Sequence, residues 1–264
     1  MKIVFTDLDG TLLDTRTYSY DAAQPALDLL RRKNIPLVIC TSKTRAEVEL
    51  WRTRLGIHHP FIVENGAAVY IPKDYFPFRI PNVRQRDGYT VMEYGAPYPE
   101  LVADLKAASR ESGCDVLGFN DMSVAELALR SLLPVHQAEL AKRREYDEAF
   151  EVLSSGTYRL LEAIERRGRK WTRGDRFYHI TGNNDKAVAV SALSALYRKA
   201  LGDVQTIGVG DGWNDVGFLA SVDVPVLIRS RFDAAIKRAE PRCRVTEAPG
   251  PHGWNHAMLE LLAA

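Results

Sequence analysis

Short unbroken apolar runs punctuate the first third of the chain, with stretches of helical period between them. Ile3-Val4-Phe5, Ile35-Pro36-Leu37-Val38-Ile39-Cys40 and Phe61-Ile62-Val63 are too short for helices and do not alternate with polar residues. That is the pattern of strands covered on both faces in a parallel sheet. Between them, Asp21 to Lys33 carries apolar Leu27, Leu29 and Leu30, with Pro25 near the first turn and Asp21 as a cap. Thr44-Arg45-Ala46-Glu47 is a capping box that opens a second helix, and Gly56 closes it. Strand and helix alternating at this spacing predict an α/β fold with a doubly wound parallel sheet.

The pattern changes near Pro81. Tyr89–Tyr94 and Val116–Phe119 read as strands, and Glu100–Ser112 as a helix. A second capping box, Ser123-Val124-Ala125-Glu126, starts a helix ending near Leu132, and further helices are expected from Val135 to Glu145 and from Gly156 to Arg167. Trp171 and Phe177–Ile180 pair around an Arg173-Gly174-Asp175 turn. The α/β pattern resumes with a helix from Asp185 and a strand at Gln205–Gly210. A strand at Val224–Ile228, a helix over Arg231–Ala239 capped by Ser230 and a closing helix over Gly253–Leu262 complete it. The expected organisation is a core of residues 1–82 and 181–264 with an α+β insertion at 83–180.

Composition narrows the function classes. A net charge of +1 from 35 basic and 34 acidic residues gives no reason for a nucleic-acid or membrane surface. No apolar run approaches spanning length, and Met1-Lys2 leads straight into the first strand, so the expected location is the cytoplasm. The three cysteines form no C-x-x-C, and Cys40 is expected to be a small buried hydrophobe.

Chemistry concentrates where strands end, the place where open α/β sheets bind ligands. Asp7 and Asp9 follow the first strand two residues apart, so on an extended chain both side chains point the same way, and Gly10 permits the turn beyond them. Thr41-Ser42 end the second strand, Lys186 opens a helix, and Gly210-Asp211-Gly212-Trp213-Asn214-Asp215 ends a later strand. Singly these could be a surface turn, a helix cap, a solvated lysine and a polar loop. Brought together, Asp7, Asp9, Asp211 and Asp215 carry four negative charges, which need counter-charge. One Mg²⁺ and Lys186 return three positive ones, and an all-oxygen donor set suits Mg²⁺.

D-x-D-G-T after an N-terminal strand, then Ser/Thr, Lys and G-D-x-x-N-D in that order, resembles the haloacid-dehalogenase-like phosphotransferases. The resemblance implies that Asp7 is the nucleophile forming an aspartyl phosphate and Asp9 the general acid and base. It implies metal ligation by Asp7, Asp9 (through its carbonyl) and Asp211, with Asp215 and Asn214 orienting Lys186 and the metal's waters. Thr41 and Lys186 would hold the phosphoryl oxygens; Ser42 competes with Thr41 for that role. The insertion resembles the C2-type cap, which closes over small-molecule substrates.

Longer stretches are more specific. Cys40–Thr44, Pro60–Gly66, Gly118–Ser123, Arg144–Glu148 and Arg176–Lys186 resemble the mannosyl-3-phosphoglycerate phosphatases, with departures at Ala67 and Ala149, where Gly and Pro are expected. This implies hydrolysis of a mannosyl-3-phosphoglycerate to mannosylglycerate and phosphate; glucosyl-3-phosphoglycerate or another sugar phosphate is the alternative. A sugar-phosphate mutase or a non-hydrolytic binder is the reading from a different class; a binder is expected to lack Asp7 or Asp9, and both are present. Arg144, Arg167, His179 and Asn184 are the cap-side candidates for substrate contact, since arginine clamps carboxylates bidentately. His179, in an apolar strand, could equally be a satisfied core histidine, and Arg166, Arg167 and Arg169 a solvated helix face.

Overall fold

The computed structural model describes residues 1–174 and 176–263, so Asp175 of the expected turn lies outside the described residues. Six strands of the large sheet are parallel: β1 (Lys2–Thr6), β2 (Leu37–Cys40), β3 (Phe61–Val63), β11 (Gln205–Gly210), β12 (Val224–Leu227) and β13 (Arg244–Val245). An antiparallel flap, β4 (Ala68–Pro72), β5 (Arg84–Arg86) and β6 (Tyr89–Glu93), extends it to nine strands in the order β13-β12-β11-β1-β2-β3-β4-β6-β5. Residues 84–93 therefore hydrogen-bond to this sheet. The chain runs outward from β1 in both directions, so the β1–β11 seam is the topological switch point.

Side chains alternate across the sheet as the strand period demands. Val4, Ile39 and Val209 face α1 (Gln24–Arg32), α2 (Arg45–Leu55) and α10 (Gly250–Ala263). Ile3, Phe5 and Cys40 face α7 (Lys186–Leu201), α8 (Val216–Ser221) and α9 (Asp233–Ala239). Both faces are covered, which explains the unbroken apolar runs.

A second, antiparallel sheet has the order β7-β8-β10-β9, built from β7 (Val116–Gly118), β8 (Asp147–Val152), β9 (Lys170–Arg173) and β10 (Tyr178–Thr181). Helices α3 (Tyr98–Ser112) and α6 (Thr157–Arg166) cover one face through Leu101, Leu105, Leu160 and Ile164. Helices α4 (Val124–Ser131) and α5 (Val135–Ala141) enclose a smaller cluster around Phe119, Met122 and Leu127.

Local signals placed most boundaries. Thr44 and Ser123 both form full capping boxes, and Gly56 ends α2 in the left-handed conformation. Three expectations are corrected. Asp21 makes no cap bond; a 3₁₀ turn over Asp21–Ala23 comes first, and α1 starts at Gln24 with Pro25 in its first turn. Helix α5 stops at Ala141, so Arg144 and Glu145 lie in the loop entering β8. Helix α9 begins at Asp233 rather than Arg231, which leaves the Ser230 hydroxyl to donate to the Asp211 carbonyl at 2.9 Å.

Candidate active site

The two strand ends at the switch point are tied together by Asp7 N–H donating to the Val209 carbonyl at 2.9 Å. Gly10 follows with φ +77°, and a Cβ there would lie 2.6 Å from Asp211 Oδ2, so only glycine allows the loops to approach this closely. The Thr11 hydroxyl donates to Asp211 Oδ1 at 2.9 Å. One oxygen each of Asp7, Asp211 and Asp215 lie within 4.8 Å of one another.

Lys186 is delivered by the first residue of α7, whose cap, Asp185, accepts from Val188 N–H at 2.9 Å. Its fully buried ammonium lies 2.8 Å from Asp7 Oδ1 and 2.7 Å from Asp215 Oδ1. Asp215 Oδ2 accepts from the Asp211 and Gly212 N–H groups at 3.0 Å each, which closes the acidic loop. Burial opposes charge on all of these groups. It pushes the Asp7 carboxyl up to about 7, against the pull of Lys186 and with Asp215 adding to the rise. Burial, Asp215 and Asp7 likewise hold the Asp211 carboxyl well above its ordinary value. For Lys186 burial is outweighed by Asp215 and Asp7, so its ammonium is held charged. Three carboxylates against one ammonium leave negative charge in excess, and a compact all-oxygen donor set with that excess fits a divalent cation.

Opposite this cluster stands an ion pair that sequence reasoning missed. Asp9 Oδ2 lies 2.9 Å from Lys43 Nζ; that ammonium is also 3.4 Å from Glu47 Oε1 and sits over the Tyr18 ring, 5.4 Å from its centroid. Asp9 Oδ1 is buried without a hydrogen-bond partner among the described residues. Ser42 lines the cavity, whereas Thr41 is buried behind it with its hydroxyl accepting from Lys43 N–H at 3.3 Å. The available signal was position: Lys43 falls two residues after Thr41, beyond the carboxyl end of β2.

The second sheet forms the roof. Arg144 and His179 line the cavity with Asp7, Asp9, Asp211 and Asn214, joined by Arg173, Arg176, Phe119 and Phe177, which the sequence did not single out. Phe119 and Phe177 meet edge to face at 4.8 Å. Asn214 donates to Asn65 Oδ1 at 3.2 Å. Asn184 is buried behind the cavity and donates to the Asn65 carbonyl at 3.2 Å. Arg167 is not brought here: it pairs with Glu111 at 2.5 Å, and its neighbours Arg166 and Arg169 bind Glu111 and the Glu100–Asp104 pair of α3. The basic cluster is thus a stitch between α6 and α3. Trp213 is 43% exposed and does not line the cavity.

One buried carboxyl, Glu64, locks the roof to the core, and a second, Glu148, ties elements of the roof to one another. Glu64, at φ +45° after β3, accepts from the N–H groups of Glu145 at 3.0 Å and Tyr146 at 2.8 Å, and burial pushes its carboxyl up to about 8. Glu148 accepts from Asn120 N–H at 3.0 Å and the Tyr98 hydroxyl at 2.7 Å, and burial pushes it up to about 7. In the unfolded chain both titrate near the ordinary glutamate value of about 4.3. Between that value and the folded one only the native state holds the proton, so its stabilising effect is full at low pH and lost as pH rises through 7 and 8. Stability in chelator is expected to fall by on the order of 1–3 kcal/mol from pH 6.5 to 8.5. Melting temperatures across that window measure it; Glu64→Gln with Glu148→Gln should reduce the slope to the part that the raised Asp7 and Asp211 carboxyls contribute, and a flat wild-type profile would contradict the assignment.

A parallel sheet with acidic loops at its switch point, two buried lysines and a roof over them defines a phosphoryl-transfer hydrolase of the haloacid dehalogenase-like class. Residues 4–80 match the family model for haloacid dehalogenase-like hydrolases. The chain is 44% identical over 265 residues to a glucosyl-3-phosphoglycerate/mannosyl-3-phosphoglycerate phosphatase of Methanococcoides burtonii, covering 98% of this chain and 97% of that one. It is 39% identical over 228 residues to a mannosyl-3-phosphoglycerate phosphatase of Pyrococcus furiosus, covering 86% and 91%. Among solved structures, a HAD subclass IIB sugar phosphatase superposes with a TM-score of 0.68 at 19% identity over 99% of both chains, a likeness of fold. The chain belongs to the glucosyl-3-phosphoglycerate/mannosyl-3-phosphoglycerate phosphatase family of haloacid dehalogenase-like hydrolases, and it is a phosphoric monoester hydrolase.

Proposed function

We propose that the enzyme hydrolyses a glycosyl-3-phosphoglycerate, the mannosyl ester foremost, to the glycosylglycerate and inorganic phosphate with Mg²⁺ as cofactor. The observation that carries this is the Asp7–Lys186–Asp215 chain beside Asp211, in a family whose relatives bear that substrate in their names.

Lys186 occupies Asp7 Oδ1, which leaves Oδ2 to attack phosphorus. The phosphorus–ester oxygen bond breaks as the Asp7–phosphorus bond forms; Asp9, which enters the step protonated on Oδ1 with Lys43 against Oδ2, gives that proton to the departing alkoxide. Asp9, now a carboxylate, takes a proton from water, whose oxygen displaces Asp7 and frees phosphate. Lys186 and the Ser42–Thr41 loop hold the phosphoryl oxygens while charge develops. Asp7, Asp211 and the Asp9 carbonyl would hold Mg²⁺, with Asp215 behind them; when bound, it neutralises phosphoryl charge and keeps Asp7 ionised.

The segment from about Tyr94 to Asn184 acts as a cap that chooses the substrate and excludes water. Lys43, Arg144, Arg173 and Arg176 set positive charge opposite the carboxylates, which suits a substrate carrying phosphate and carboxylate. Phe119 and Phe177 give the sugar an apolar wall. Incubation of the purified enzyme with mannosyl-3-phosphoglycerate and Mg²⁺ is expected to release phosphate and mannosylglycerate in equal amounts, and excess chelator should stop it. Release that is unaffected by chelator would overturn the metal assignment, and transfer of the phosphoryl group to a second sugar would indicate a mutase.

A further inference from the structure

The stretch Arg144–Glu148, the entry to β8, belongs to none of the catalytic roles above, yet its fourth residue, Asp147, touches every layer of the site. Asp147 opens β8 with no solvent exposure and does not itself line the cavity. Its Oδ1 lies 2.9 Å from Arg144 Nη2 and 2.8 Å from His179 Nδ1, both cavity residues. Its Oδ2 accepts from Asn65 Nδ2 at 2.7 Å, and Asn65 in turn accepts from Asn214 beside the acidic loop. Arg144 extends the connection to the core by donating to the Ser42 carbonyl at 3.0 Å. Burial opposes charge on Asp147, but Arg144 and His179 outweigh it and hold the carboxyl below its usual range.

A carboxylate can only accept, so His179 must carry hydrogen on Nδ1 to meet it. Nε2 is then the atom presented at the cavity wall, beside Gly174. An aspartate that fixes a tautomer in this way controls which ring nitrogen faces the ligand, and its replacement by asparagine permits the wrong one.

We propose that Asp147 is a positioning residue for substrate recognition: it fixes His179 with hydrogen on Nδ1 and holds Arg144 at the cavity wall, so that the pair meets the organic part of the phosphomonoester. This rests on the phosphatase reading above. Neither residue bonds to Asp7, Asp211, Asp215 or Lys186, and Arg144 reaches the phosphoryl-holding loop only at the Ser42 carbonyl, so the effect should fall mainly on substrate choice rather than on phosphoryl chemistry.

Two measurements test it. In ¹⁵N-labelled enzyme, the imidazole resonances of His179, assigned by their loss in His179→Ala, should show the Nδ1–H tautomer in the wild type and a gain of Nε2–H in Asp147→Asn. In steady-state kinetics, Asp147→Asn should lower the ratio of kcat/KM for mannosyl-3-phosphoglycerate to that for p-nitrophenyl phosphate by about 10- to 100-fold, mostly through KM. The generic ester alone should change by less than about threefold. A wild-type His179 with hydrogen on Nε2, or a ratio unmoved in folded Asp147→Asn, would overturn the proposal. If the variant fails to fold, the wild-type tautomer still decides. If the wild type ignores mannosyl-3-phosphoglycerate, the substrate assignment fails while the tautomer measurement remains informative for Asp147.

Discussion

Replacing Asp7 by Asn is expected to lower kcat by at least about 10⁴-fold on any phosphomonoester, because removal of a nucleophile costs on that order or more. The amide keeps the shape of the carboxyl, and its oxygen can still accept from Lys186, but it cannot attack phosphorus. The fold should survive the change. Burial pushes the Asp7 carboxyl up to about 7 against the pull of Lys186, with Asp215 and Asp9 adding to the rise, so a neutral isostere escapes the desolvation cost and relieves that repulsion. The melting temperature in chelator should therefore stay level or rise while turnover vanishes. Asp9→Asn should slow both halves of the reaction. Ordinary turnover by Asp7→Asn would exclude a covalent route through this residue.

The second large effect is expected at Lys186. Its ammonium is fully buried and bridges Asp7 and Asp215 at 2.8 and 2.7 Å. Lys186→Met leaves buried carboxylates unpaired, and breaking a buried pair from one side typically costs about 3–5 kcal/mol. Turnover should also fall by about 10²- to 10³-fold, the usual loss when one preorganised donor to developing phosphoryl charge is removed. The two losses separate through the metal. A divalent cation binding only the folded site stabilises it by mass action, about 2.7 kcal/mol at a hundred times Kd. Mg²⁺ should therefore raise the melting temperature of the wild type and raise that of Lys186→Met more. Asp211→Asn should weaken the response in both. A melting temperature indifferent to Mg²⁺ in both the wild type and Lys186→Met would mean that the acidic cluster holds no such ion.

The floor of the candidate site was legible because Asp7, Thr41 and Asp211 sit where short apolar runs stop and Lys186 where a helix opens. Asp7, Thr41, Asp211 and Lys186 needed only the assumption that those runs are neighbouring strands, and the parallel registers of β1 with β2 and β11 supply it. The roof was less legible. Strand β8 begins Asp147-Glu148-Ala149, without β-branched residues, and all four of its first residues are buried, so neither propensity nor alternation marks it. Lys43, Arg173, Arg176, Phe119 and Phe177 come from separate loops and strands, and only the tertiary arrangement makes them one wall. Arg167 misled for the opposite reason. Its partner, Glu111, lies 56 residues earlier on another helix, a pairing that no local spacing reveals. His179 proved to be both a cavity residue and a satisfied one, since Asp147, which does not line the cavity, meets its Nδ1.

We infer a phosphatase site built for a phosphate and a carboxylate on one small sugar-bearing molecule. The most direct measurement is kcat/KM for phosphate release with Mg²⁺ across mannosyl-3-phosphoglycerate, glucosyl-3-phosphoglycerate, 3-phosphoglycerate, sucrose 6-phosphate and mannose 6-phosphate. One charge-assisted hydrogen bond to the carboxylate is worth about 1.5–3 kcal/mol, so the glycosyl-3-phosphoglycerates should exceed the simple sugar phosphates by at least about tenfold. Equal or higher values for sugar phosphates lacking the glycerate would contradict it.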